Sequence, residues 1–464
     1  MPLSSISRTR PAAALLTILF GFLAFAAMSN PRISSASSQR WQSLTNADDP
    51  HVLSPQVLGL FVNSVGDGPD ANIGDGICDA GGGACTLRAA IQEANSVAGD
   101  DTISLAPFPP PSNIILSSAL PAISDNVAIS GPGGPSGFKI NLFRNLAAGT
   151  PDFTIFTINS GKTVTISGVT IINGRASGAT PNGAGIWNSG TLTLNSCRVA
   201  GNVASSLGGG IYNAGIAGGG VPATLTINDS DISNNGAEGG GGIANAAVNA
   251  SSTVTINNST IANNRSATLG GGGIHNSASS STSLATLTIN NSTLWGNANT
   301  ATGSGAGGGG IYNAAASGNA TSTMAINNST ISENRDEAAG SGGGIFHVSS
   351  GSGSIANLTI HNGTISDNEV TASGNGGGIY SASSSSVTNL LLRDTIVAGN
   401  GRAEITNDIS GAVDPASSYN LIGTGGAGGL VNGVNSNQVG VANPLLGPLG
   451  NNGGATFTHA LLDG

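Results

Sequence analysis

The sequence is short of charge, of aromatic rings and of long apolar runs. Lys and Arg together number 14 and Asp and Glu 24, only 8% of 464 residues. A typical soluble domain carries about 25%. Helical bundles and coiled coils are excluded, because they rely on Glu, Lys and Arg and do not tolerate 73 glycines. Collagen is excluded too, since Gly follows no three-residue period. A net charge of −10 repels a phosphate backbone and argues against nucleic acid as a partner. Aromatics make up 4% and there are three cysteines. What the chain does have is Gly, Asn, Ser, Thr and Ile in a repeating order.

One long apolar run exists, from Ala12 to Ala27, behind Arg8 and Arg10 and with Ala24-Phe25-Ala26 near its end. It is short for a membrane span of about 20 residues. Its charge and small-x-small ending read as an export signal over residues 1–28. No later segment approaches a span, so the expectation is an exported chain with no integral membrane span after cleavage. Residues 29–60, rich in Ser and Pro, read as a flexible lead-in. Cys78 and Cys85 flank three glycines, a loop that a disulfide closes outside the cytosol. Cys197 stands where later repeats carry Ser, as a small buried thiol does.

Residues 100–400 repeat one motif. Copies such as VTINNSTIANN from Val254 and LTINNSTLWGN from Leu287 recur at intervals of 28 to 37 residues, with GGGIYN-type signatures between them. Within a copy, Val254 and Ile256 alternate with polar residues, and Ile261 follows an Asn-Asn corner. Alternation of this kind marks a half-buried strand, here too short to stand alone. A third short strand follows the glycines, centred on Ile274. Three short strands and three corners per unit describe one coil of a right-handed parallel β-helix, an all-β solenoid whose coils stack about 4.8 Å apart. A β-propeller blade needs four strands and fits less well. In the stack, Asn202, Asn235, Asn264, Asn297, Asn334, Asn368 and Asn400 form one amide ladder. Asn195, Asn228, Asn257, Asn290 and Asn327 form a second. Asn-Asn-Ser-Thr also matches a glycosylation sequon, but the ladders explain its period.

Residues 61–95, with Cys85-Thr86-Leu87-Arg88-Ala89-Ala90, resemble the CSLREA domain that begins many exported bacterial β-helix proteins; Ala89 stands where that signature has Glu. The stretch from Asp100, DDTISLAP, is similar to the first strand of such proteins. Residues 420–462 resemble the choice-of-anchor-Q C-terminal region. The resemblance implies a pectin-lyase-like fold, a 61–99 N-terminal cap with a short helix, and a 401–464 C-terminal cap. Leu87, Ala90, Ile91 and Ala94 share one helical stripe suited to cover the open end of the coils.

Several residue sets are candidates for function. Parallel β-helices include Ca²⁺-dependent polysaccharide lyases that use stacked carboxylates and an Arg or Lys base. Here Glu333 and Asp367 share a repeat position, with Asp336 and Arg335 alongside, so a Ca²⁺ edge with Arg335 as base is one expectation. The alternative is a surface ion-pair cluster of Arg335 with Glu369. The loop carrying Asp67, Asp70 and Asp75 is a second metal candidate, or a set of turn formers. Asp229 and Asp394 fill Asn corner positions, and no Ser/His/Asp set recurs among the histidines. The residue after each stacked Ile is expected to point outward: Trp187, Tyr212, Ala244, His275, Tyr312, Phe346, Tyr380. Such a column suits sugar rings or an apolar partner; the alternative is that loops cover it and it serves packing alone. The leading expectation is a non-enzymatic, adhesin-like exported or cell-surface protein that binds extracellular polysaccharide or a cell-surface protein. The alternatives are a polysaccharide-processing enzyme, a lyase before a hydrolase, and a purely structural repeat protein.

Overall fold

In the computed structural model the described residues are 56–464, apart from 111, 133–139, 216–220, 301–306, 338–339, 372–373 and 403–404. The expected export signal and the lead-in up to residue 55 lie outside them. The chain winds as an all-β, right-handed parallel β-helix. Its coils align residue for residue: Leu225, Val254, Leu287 and Met324 follow one another in register, as do Ile243, Ile274, Ile311 and Ile345.

The local reasons are visible in one coil. Ser251–Asn257 forms the long strand, and its alternation sends Val254 and Ile256 inward, both fully buried. The chain turns at Asn258, whose φ of 50° is left-handed, a conformation that Asn tolerates better than most residues. Thr260–Ala262 is the short strand, with Ile261 buried. Asn263, φ 55°, makes the second corner. Gly271-Gly272-Gly273 then leads to Ile274–Ala278. Gly271 has φ 67°. A Cβ on Gly273 would lie 2.8 Å from the Gly310 carbonyl oxygen of the next coil, so the backbones meet only without side chains. Each buried Ile contributes about 1.5–3 kcal/mol.

Three ladders match the expected three strands. A fourth lies between the ladder Asn and the glycines, commonly two residues long, as at Val203–Ala204 and Arg335–Asp336. It exists because the chain must run extended from the second corner to the glycines, and adjacent coils then pair there.

The N-terminal end is covered as the stripe predicts. Helix α1, Leu87–Ser96, starts at Thr86, whose Oγ1 accepts from the Ala89 N–H. Leu87, Ala90, Ile91 and Ala94 are buried and join the coil core. Arg88 ties the helix to the first coil: its guanidinium donates to the Asp67 carboxylate and to the Ser118 and Ala119 carbonyls. Cys78 and Cys85 form the disulfide. At the other end, Leu421–Ile422 and Gln438–Val439 add the last strands of the short sheet. The antiparallel hairpin Leu446–Gly450 with Thr458–Leu461 lies elsewhere, back along the outer face of the short sheet. There Phe457 stacks near Trp295, and His459 meets Ser332 at 2.9 Å.

Candidate functional site

The amide ladders dominate the interior corners. Asn334 is fully buried; its Nδ2 donates to the Leu294 and Ser332 carbonyls and to Asn368 Oδ1. Its own Oδ1 accepts from both nitrogens of Asn297. The series ends at Asp408, whose Oδ1 accepts from Asn400 and whose Oδ2 accepts from the Gly425 N–H. Burial raises the Asp408 pKa. The outer ladder through Asn257, Asn290 and Asn327 is half-buried and has one bond per step.

A third ladder was not foreseen. Asn188, Asn213, Asn245, Asn276 and Asn313 are fully buried and bond turn to turn at 2.7–2.8 Å. His347 ends it, with Nδ1 2.9 Å from Asn313 Nδ2 and Nε2 3.2 Å from the Asn389 carbonyl. The amide donates to Nδ1, and Nε2–H donates to the carbonyl. Burial, opposed in part by backbone hydrogen bonds, lowers the His347 pKa to about 4. The signal was present in the Asn of each Gly-Ile-x-Asn signature.

The candidate Ca²⁺ edge does not assemble. Glu333 and Asp367 follow the paired Ser332 and Ser366, as the repeat requires, with φ of 55° and 57° at an exposed corner. Asp336 is the correction: alternation along Arg335–Asp336 turns it inward, fully buried, where Asn299 donates to it at 3.2 Å. Arg335 pairs with Glu369 at 2.8 Å, and Arg265 with Glu337 at 3.0 Å. These are surface ion pairs. Asp67, Asp70 and Asp75 also fail to converge. Asp67 holds Arg88, Asp70 accepts from the Asn72 and Asp79 N–H groups, and Asp75 from the Ile77 N–H. The buried Glu93 anchors this loop through the Gly74 and Gly76 N–H groups. Among the described residues no group of three or more His, Cys, Asp or Glu is placed to hold a metal ion. The residues present do not fit a Ca²⁺ site. Asp229 and Asp394, φ 50° and 51°, are corner formers.

The column expected to point outward is in register, Thr157, Trp187, Tyr212, Ala244, His275, Tyr312, Phe346 and Tyr380 following one another coil by coil, but Ala244, His275 and Phe346 are buried. From His275 onward the rings stack nearly parallel, with centroids 4.6, 5.4 and 5.2 Å apart. Those faces are spent on each other. Trp187 differs, meeting Tyr212 at 90° with centroids 5.6 Å apart. Beside it opens a cleft of about 440 Å³ lined by Phe153, Thr157, Asn159, Ser160, Thr180 and Trp187. Asp152 stands at its edge, within 3.4 Å of both Arg144 and Arg175 and accepting from Ser177 Oγ.

No family model and no curated protein matches this chain. Among the described residues no helix is long and apolar enough to cross a membrane.

Proposed function

We propose that this is an exported bacterial β-helix protein, surface-associated or secreted, that binds glycans without cleaving them. The observation that carries the reading is the column of rings, in which Trp187, Tyr212, Tyr312 and Tyr380 are half-buried and keep part of their surface open, while His275 and Phe346 are buried. Aromatic surface left open at the exterior is suited to the apolar faces of sugars. Export is supported by the apolar run behind Arg8 and Arg10 and by the Cys78–Cys85 disulfide, which persists in oxidising compartments. The CSLREA-like start and the choice-of-anchor-Q-like finish support the same address. The test is size-exclusion elution of a panel of plant and microbial polysaccharides, with residues 29–464 and Ca²⁺ present. Protein co-eluting with unshortened polysaccharide is expected. Shortened chains would establish a lyase or hydrolase instead, and protein eluting alone from every sample would remove glycan binding.

A further inference from the structure

The column has a ring missing at its first position, and the vacancy is a cleft. Thr157 pairs with Trp187 in register, so a ring there would lie beside the indole, one coil step away. Thr157 carries only a hydroxyl and a methyl, and the space above it is the 440 Å³ cleft. That volume falls in the range of ligand sites, about 300–1,000 Å³. Ala244 is a ringless position within the column, but it is fully buried and its vacancy is closed. We propose that the cleft beside Trp187 is a binding site for one short, neutral saccharide, whose ring takes the missing place in the column. This rests on the glycan-binding reading above and narrows it: Tyr312, Phe346 and Tyr380 form a structural spine, not the sugar platform.

Three features set the ligand class. Trp187 is held by its Nε1–H, which donates to Ser189 Oγ at 3.2 Å, so the indole contributes a fixed apolar surface. Phe153 supplies a second aromatic wall, itself under the Arg144 guanidinium at 5.7 Å. Ala119 and Ile158 add apolar wall, and among the other lining residues Thr157, Asn159, Ser160 and Thr180 carry hydroxyl and amide groups, which both donate and accept and match sugar hydroxyls. The one carboxylate, Asp152, already faces two guanidinium groups, so it does not call for a cationic ligand. Arg144 is spent on the Thr150 and Pro151 carbonyls as well as on Asp152, which leaves little demand for an anionic sugar. One coil step of about 4.8 Å separates the Thr157 and Trp187 levels, so the platform serves a sugar or two, not a long chain.

The experiment uses residues 29–464 and oligosaccharides of one to six units from neutral glucans, mannans, xylans and galactans, with oligogalacturonates as the charged arm. Binding is read by calorimetry and by tryptophan fluorescence. At least one neutral series should bind, with affinity levelling off by about three units. Trp187→Ala should weaken that binding roughly tenfold or more, while Tyr312→Ala and Tyr380→Ala leave it unchanged. Trp187→Phe keeps an aromatic wall and should abolish the fluorescence response while retaining weaker binding. Unchanged melting confirms that each variant folds. Equal binding by wild type and Trp187→Ala, or loss on Tyr380→Ala alone, overturns the cleft and spares the broader reading. Tighter binding of oligogalacturonates than of any neutral series overturns the neutral assignment. No binding across the panel overturns both.

Discussion

Replacing Asn334 by Ala tests whether the inner amide ladder holds the coils together. The side chain takes part in five hydrogen bonds in a fully buried corner. Its removal leaves the Asn297 backbone N–H without its acceptor, while Asn297 Nδ2 keeps the Ile261 carbonyl. An orphaned buried backbone group costs about 1–3 kcal/mol, and the two carbonyls that lose a donor add to it. The expected loss is about 3 kcal/mol in all. The comparison is Asn290→Ala in the outer ladder. That side chain makes one bond to each neighbour, and water replaces them, so its loss should stay below about 1 kcal/mol. Because each coil contacts only its neighbours, the damage should be local. Urea unfolding gives the magnitudes, and limited proteolysis locates the opening, expected near residues 297–368. Equal losses from the two variants would refute the argument that burial, not amide stacking as such, sets the ladder's worth.

Acid should weaken the fold through His347. Its folded pKa, about 4, lies below the ordinary imidazole value of 6.5. The unfolded chain therefore takes up a proton first, and stability falls as pH drops from about 6.5 towards 4, by roughly 3 kcal/mol for this group. Asp101 and Asp408, raised by burial, act with the opposite sign. The pH profile of His347→Asn against wild type isolates the histidine, and identical profiles would contradict the assignment. Arg88→Ala should open the N-terminal cap, costing about 3 kcal/mol locally through its hydrogen bonds to Asp67, Ser118 and Ala119. Hydrogen exchange of the α1 and Gly59–Val62 amides is the readout, and unchanged protection there would sink the claim. Reducing Cys78–Cys85 should cost about 2.5 kcal/mol for a loop this short, measured as a shift in the urea midpoint under dithiothreitol.

The coil was legible because its contacts repeat: one period places Ile256 inward, Asn264 on the ladder and Asn258 at a left-handed corner. What the period does not encode was harder to read. The two-residue fourth ladder is too short to show alternation, which is why Asp336 was expected outside with Glu333. The ladder through Asn245 does follow the period, but a polar Asn at an inward position is marked by its recurrence alone and not by apolar alternation. The cleft draws on Phe153, Asn159 and Thr180, from non-repeating connections, so no spacing announces it. The hairpin contact of Phe457 with Trp295 joins residues far apart in sequence and leaves no local mark.

Both buried ladders have a direction. Each Asn along them donates a hydrogen bond to the coil that follows and, past the first of the row, accepts one from the coil before, so the row is a sentence that any number of identical words can lengthen. It needs a full stop that accepts the last amide without being an amide itself. Asp408 supplies one with a carboxylate oxygen, and His347 the other with a ring nitrogen lone pair. Whole coils can therefore be duplicated or deleted between Asn202 and Asn400 without orphaning an amide, provided the terminator moves with the end. In so sparsely charged a chain, these two ionisable side chains mark where the amide rows stop.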